Sequence, residues 1–140
     1  MSSINSPAIL YPLFALAGLT AIVQLLIPVA RVRAALRGRV VVADFKYGES
    51  TAVPVEVGLP NRNYMNLLEF PLLAYVACVM AYVATSVTPL MVQLAWAYVG
   101  LRALHSAIHL SYNHVAHRAL AFGASNAVLV VQWIEVGLHL

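Results

Sequence analysis

Four apolar stretches, at about 8–30, 61–86, 89–112 and 118–137, alternate with polar connections along the chain. The first is uncharged from Ala8 to Ala30, and no charged residue occurs between Glu69 and Arg102. At about 1.5 Å per helical residue, that second interval is room for two crossings of a roughly 30 Å hydrocarbon core. Ser86-Val87-Thr88-Pro89 supplies a tight turn between the crossings, and Tyr112-Asn113-His114-Val115-Ala116-His117 joins the third stretch to the fourth. Pro12 and Pro28 sit near the ends of the first stretch, where neighbouring helices can satisfy the backbone groups they free. The pattern predicts one all-α integral membrane domain over residues 1–140, a four-transmembrane-helix bundle.

Residues 31–60 differ in composition, with charged and β-branched residues punctuated by Gly38, Gly48, Pro54, Gly58 and Pro60. They read as a loop. Val40-Val41-Val42-Ala43 and Thr51 to Val57 suit short extended pieces turning near Tyr47-Gly48-Glu49-Ser50, with the second span starting just after Pro60.

A content of 62% hydrophobic and 9% charged residues lies far from a water-soluble composition. With 140 residues, a single bundle has little interior for a sizeable ligand, so an oligomer is expected. The net charge of +3 does not point to nucleic acid, because the basic residues gather at helix ends. Arg31, Arg33, Arg37, Arg39 and Lys46 follow the first stretch and Arg118 opens the last, while the opposite connections carry no Lys or Arg. The positive-inside rule places that basic side in the cytoplasm and both termini on the other. Arg33, Arg37, Arg39 and Lys46 suit snorkelling toward anionic headgroups. The one cysteine, Cys78, lies within an apolar run and reads as a buried structural thiol.

The chemistry gathers on two helix faces. Arg62, Asn66 and Glu69 are spaced by four and three residues and share one stripe, as do Arg102, His105 and His109 with Ser106 beside them. At equal depth the stripes can meet, with Glu69 and Arg102 as the natural buried pair. A structural pair that only fixes helix register is the plain alternative. Against it, Arg31, Arg62, Arg102 and Arg118 bring four guanidinium groups to one membrane face with one nearby carboxylate, an excess that calls for an anion. The pairs His105/His109 and His114/His117 raise the question of a metal, but no cysteine or second carboxylate joins them and the arginines repel a cation, so no metal is expected. No P-loop, Ser-His-Asp arrangement or paired-cysteine spacing occurs.

Arg62-x-x-x-Asn66-x-x-Glu69 followed by Pro71, then Arg102-x-x-His105, then Arg118 opening the last helix, resembles the membrane-associated proteins in eicosanoid and glutathione metabolism, the MAPEG family. The likeness is to a bacterial-type member akin to the microsomal glutathione transferases. It implies a homotrimer with glutathione bound between neighbouring subunits near the cytoplasmic face. Arg62, Asn66, Glu69, Arg102, His105 and, more loosely, Arg31 would line that site, and His109 stands where a tyrosine is common. The arginine opening the last helix is the group next to the thiol in such proteins, so Arg118 would stabilise the thiolate, and Glu69 would take the amine or hold an arginine. The implied activity is that of a glutathione-dependent transferase or peroxidase acting on hydrophobic electrophiles or lipid hydroperoxides drawn from the membrane lipid. Ala119 and Phe122 follow Arg118 where prostaglandin E synthase relatives carry a serine and a tyrosine, which points away from prostaglandin isomerase chemistry. The alternative is a non-catalytic scaffold of the same fold that binds a lipid or partner.

Overall fold

The computed structural model describes residues 7–140, which form five α-helices with no β-strand among them. Expectations for the N-terminus fall on residues 1–6, outside the described residues. A single 3-10 turn, Pro7–Leu10, leads into α1, Tyr11–Leu36. Helices α2, Val55–Leu68, and α3, Pro71–Val83, make the second traverse. The third and fourth are α4, Pro89–Leu110, and α5, Val115–His139.

The first helix outruns the uncharged stretch by six residues, because the Arg-Val-Arg-Ala-Ala-Leu that follows Ala30 consists mostly of good helix formers. It stops where Gly38 takes φ +67°, with the Gly38 N–H on the Ala35 carbonyl at 2.9 Å and the Arg39 N–H on the Ala34 carbonyl at 3.0 Å. Glycine at this position ends the helix without steric penalty. The expected hairpin over the loop does not form. A short 3-10 turn at Val42–Phe45 and an isolated bridge between Lys46 and Gly48 stand in its place, and α2 begins at Val55, ahead of Pro60 rather than after it. A proline in the second turn removes one helical hydrogen bond, that to the Glu56 carbonyl.

The second span is not one rod. Pro71 has no N–H to give the Leu67 carbonyl, and the ladder of α2 ends with the Glu69 N–H on the Met65 carbonyl at 3.2 Å. The Asn66 carbonyl, freed by the break, accepts instead from Arg102 Nη2 at 2.8 Å. A fully buried cation thus caps the C-terminal end of α2 from another helix, where the helix dipole favours positive charge.

The bundle is layered from end to end. Ile9, Ala77, Cys78, Ala81, Val87, Met91, Ala95 and Val136 pack at one end, Leu16, Ala74, Tyr98 and Leu129 in the middle, and Ala34, Val40 and Val57 beneath the loop at the other. Ala74, Ala77, Cys78 and Ala81 give α3 a face of small side chains, which lets helices approach closely inside a membrane. Leu25, Leu36, Leu120, Val83 and Leu138 are among the large apolar residues that point outward, as lipid contact requires.

The segments Pro7–Leu36, Val55–Val83 and Val115–His139 are each long and apolar enough to cross a membrane. The protein is an integral membrane protein. The third expected span, α4, falls short of that apolarity because Gln93, Arg102, His105, Ser106 and His109 lie on it, four of them buried in the bundle.

Helix α4 starts with a side-chain cap. Thr88 Oγ1 accepts from the Met91 N–H at 3.2 Å and donates to Glu135 Oε1 on α5 at 3.1 Å. Glu135 therefore has a partner within the bundle. Thr88→Ala removes both bonds, and the thermal midpoint in detergent is expected to fall by an amount corresponding to about 1–2 kcal/mol; an unchanged midpoint would mean the cap is not holding this end.

Candidate ligand cleft

At the basic end α2, α4 and α5 splay around an open cleft of about 410 Å³. Small-molecule sites commonly span about 300–1,000 Å³. Its polar walls come from Arg62 and Asn66 on α2, His105 and His109 on α4, Asn113 in the following turn and Arg118 on α5, with Phe122 as an aromatic side. Five of the eight residues singled out by sequence, Arg62, Asn66, His105, His109 and Arg118, thus meet in one space.

Four of the five, Asn66, His105, His109 and Arg118, are held there by specific side-chain contacts. Arg62 and Asn66 stand one turn apart, and Asn66 Nδ2 donates to the Arg62 carbonyl at 3.1 Å. Asn63, on the inner side of the same helix, accepts from Ser106 Oγ at 3.3 Å and so ties α2 to α4. The rings of His105 and His109 lie nearly parallel, 5.8 Å between centroids. His105 Nδ1 donates to the Arg118 carbonyl at 3.1 Å, which fixes that proton on Nδ1. Arg118 Nη1 donates to His109 Nδ1 at 2.8 Å and to Asn113 Oδ1 at 2.7 Å, so His109 carries its proton on Nε2. Phe122 lies 5.7 Å from the His105 ring and 5.4 Å from the Arg102 guanidinium carbon, centroid to group.

The remaining three residues lie elsewhere in the single protomer. Arg102 is completely buried behind the cleft, with Nε and Nη1 unpartnered among the described residues. Its expected partner Glu69 is exposed at the helix break. The acid–base pairs among the described residues are Arg31 with Glu49, Arg39 with Glu56 and His139 with Glu135. The cause lies in the backbone: the Asn66 carbonyl, freed before Pro71, takes the Arg102 Nη2 donor. Arg31 turns into the loop, 3.5 Å from Glu49 and 4.5 Å above the Phe45 ring.

Asn113 escaped the sequence reading. It takes φ +48°, a conformation that asparagine tolerates better than most residues, and lies five positions before the arginine it anchors. An asparagine just past a helix end and within reach of the next helix's arginine was the available signal.

The cleft is an electropositive space: two guanidinium groups line it and no acidic residue does. Buried His105 Nε2 and His109 Nε2 have no partner among the described residues, leaving one acceptor and one donor for a ligand or water. Such walls suit a ligand with carboxylates or a thiolate. No cluster of three or more His, Cys, Asp or Glu able to hold a metal occurs among the described residues.

Comparison with known proteins gives one match: the model of the MAPEG family fits residues 9–138. No curated protein and no solved structure matches the chain.

Proposed function

The chain belongs to the MAPEG family, and from that premise we propose that it is a glutathione-dependent transferase or peroxidase of the membrane, acting on hydrophobic electrophiles or lipid hydroperoxides. The observation that carries this reading is the anchored Arg118, held through Nη1 alone by His109 and Asn113 on the wall of a cleft with no acid in its lining. Nε and Nη2 remain for a bound thiolate. A cation beside a thiol stabilises the charged form and lowers its pKa from about 8.5, raising the nucleophilic fraction at neutral pH. Arg62, Asn66 and the two histidines would hold the peptide, and the apolar faces of α3 and α5 would bring the acceptor from the bilayer.

Glu69 and Arg31 would join the site from a neighbouring copy in a homotrimer, which explains why neither faces the cleft of one protomer. The basic end would face the cytoplasm, following the positive-inside rule. The rival reading is a non-catalytic lipid- or partner-binding scaffold. Ala119 and Phe122 favour it, since both line the cleft and neither offers a hydroxyl beside the thiol position.

Calorimetric titration of glutathione into detergent-purified protein, with the thiolate followed by ultraviolet absorbance, separates the two. Saturable binding with a thiolate signal at neutral pH is expected; absence of binding would leave the scaffold.

A further inference from the structure

A shallow, open hollow of about 530 Å³ lies on the outer side of α1, apart from the cleft. Val29, Val32 and Leu36 form its wall, Arg33 and Arg37 its rim, and Pro28 its foot. The three apolar wall residues are 51%, 57% and 84% exposed. Arg33 stands two residues beyond Arg31 and Arg37 six, roughly 200° and 240° further round the helix. The hollow therefore opens on the other side of α1 from the arginine that meets Glu49, while Leu16, Val23 and Ala34, among the buried residues of this helix, face the bundle.

Beyond Arg31, the four basic residues that follow the first span are not equivalent. Arg39 is paired with Glu56, and Lys46 lies 5.1 Å above the Tyr47 ring in the loop. Arg33 and Arg37 have no acidic partner among the described residues. One turn apart on a single face, they present two guanidinium forks that can share one phosphate. The uncharged stretch ends at Ala30. At about 1.5 Å per residue, Arg33 lies roughly 4–5 Å beyond it and Arg37 about one turn higher, the zone of lipid headgroups over a roughly 30 Å hydrocarbon core. Val29 and Val32 continue the same face toward the hydrocarbon. A soluble phosphate would make no use of that apolar wall, whereas a phospholipid carries a phosphate and acyl chains in this order.

We propose that this hollow is a binding site for an anionic phospholipid: Arg33 and Arg37 hold its phosphate, and Val29, Val32 and Leu36 pack along the upper part of an acyl chain. Charge complementarity selects a lipid of net negative charge over a zwitterionic one, whose choline would bring a third cation to a rim that has no acid. The site is separate from the glutathione reading and stands or falls without it. It also narrows the expectation that Arg33, Arg37, Arg39 and Lys46 all reach for headgroups: two of them form the site, and two are engaged within the protein.

The test places an indole in the hollow with Leu36→Trp and titrates the detergent-purified protein with phosphatidylglycerol or phosphatidylcholine carrying brominated chains, which quench tryptophan on contact; the wild type, with Trp96 and Trp133, gives the background. Saturable quenching of the introduced indole is expected, with phosphatidylglycerol preferred. Adding Arg33→Gln and Arg37→Gln should weaken phosphatidylglycerol about thirtyfold, the scale of two basic residues at an anionic surface. Adding Arg39→Gln and Lys46→Gln, which removes the same formal charge, should keep the preference. Equal quenching by the two lipids, or equal losses in the two charge-matched pairs, would reduce the effect to diffuse surface charge and overturn the site. Quenching by neither lipid would mean that a second copy covers the hollow, and displacement of the lipid by chain-free glycerophosphoglycerol would mean a site for soluble phosphodiesters; either overturns it as well. Native mass spectrometry reads the same point without the tryptophan: phosphatidylglycerol should be retained on wild type and lost from Arg33→Gln/Arg37→Gln, and equal retention would count against the site.

Discussion

Replacing Arg118 by alanine is expected to remove the thiolate signal of bound glutathione at neutral pH and to lower any glutathione-dependent turnover at least about a hundredfold, the usual scale for deleting one preorganised charge-stabilising donor. The guanidinium is preorganised by two short bonds, to His109 Nδ1 at 2.8 Å and Asn113 Oδ1 at 2.7 Å, so no reorganisation would accompany charge development on sulfur. The sign with pH follows from which form the cation favours. On the proposed reading Arg118 stabilises the thiolate, so the bound thiol is expected to titrate below its ordinary value in the wild type and to return toward about 8.5 in the alanine variant. A titration of the ultraviolet thiolate band across pH 5–9 reads this directly. Superimposable curves for the two proteins would leave Arg118 without the assigned role.

Most of this site was readable from spacing. Arg62 and Asn66 are one turn apart, His105 and His109 likewise, and the helices that carry them and Arg118 come together at one end of the bundle. Spacing on a helix says which side chains share a face, but not how a distant carbonyl will compete for one of them. Arg102 and Glu69 had the charges for a pair, and the break before Pro71 supplied an acceptor at 2.8 Å instead. Asn113 was missed for a related reason: it stands in a connecting segment whose path depends on a backbone turn rather than on periodicity.

Ala77→Leu is expected to lower the thermal midpoint sharply and to give aggregated material in detergent. Ala77 is fully buried in the layer with Ile9, Met91, Ala95 and Val136. In a bilayer, helix association rests on close packing because lipid tails are as apolar as leucine, and forcing extra methylenes into a filled interface costs about 1–3 kcal/mol or more. Leucine at Val83, which is 74% exposed on the same helix, adds one methylene facing outward and should be tolerated. Thermal midpoints from fluorescence-detected size exclusion of the two variants provide the comparison; equal shifts would mean that the small-residue face of α3 is not a packing surface.

The fold was legible where hydropathy speaks, in the all-helical class and in the turn that separates α3 from α4. It was less legible where breakers were read as boundaries. Pro60 and Gly58 both lie inside α2: a second-turn proline removes only one backbone bond, and the glycine serves a close approach by Glu49 rather than a turn. Pro71, read as part of a continuous span, divides it.

The polar load of α4 has a consequence for biosynthesis. Arginine is among the most unfavourable residues for insertion of an isolated helix, by about 2.5–3.5 kcal/mol at its centre, and α4 falls short of the apolarity of the other spans. It would therefore enter the bilayer as a hairpin with α3, through the Thr85–Thr88 turn, with Arg102 already satisfied by the end of α2. Arg118 arrives only with α5, so no translation intermediate lacking that helix holds an assembled cleft.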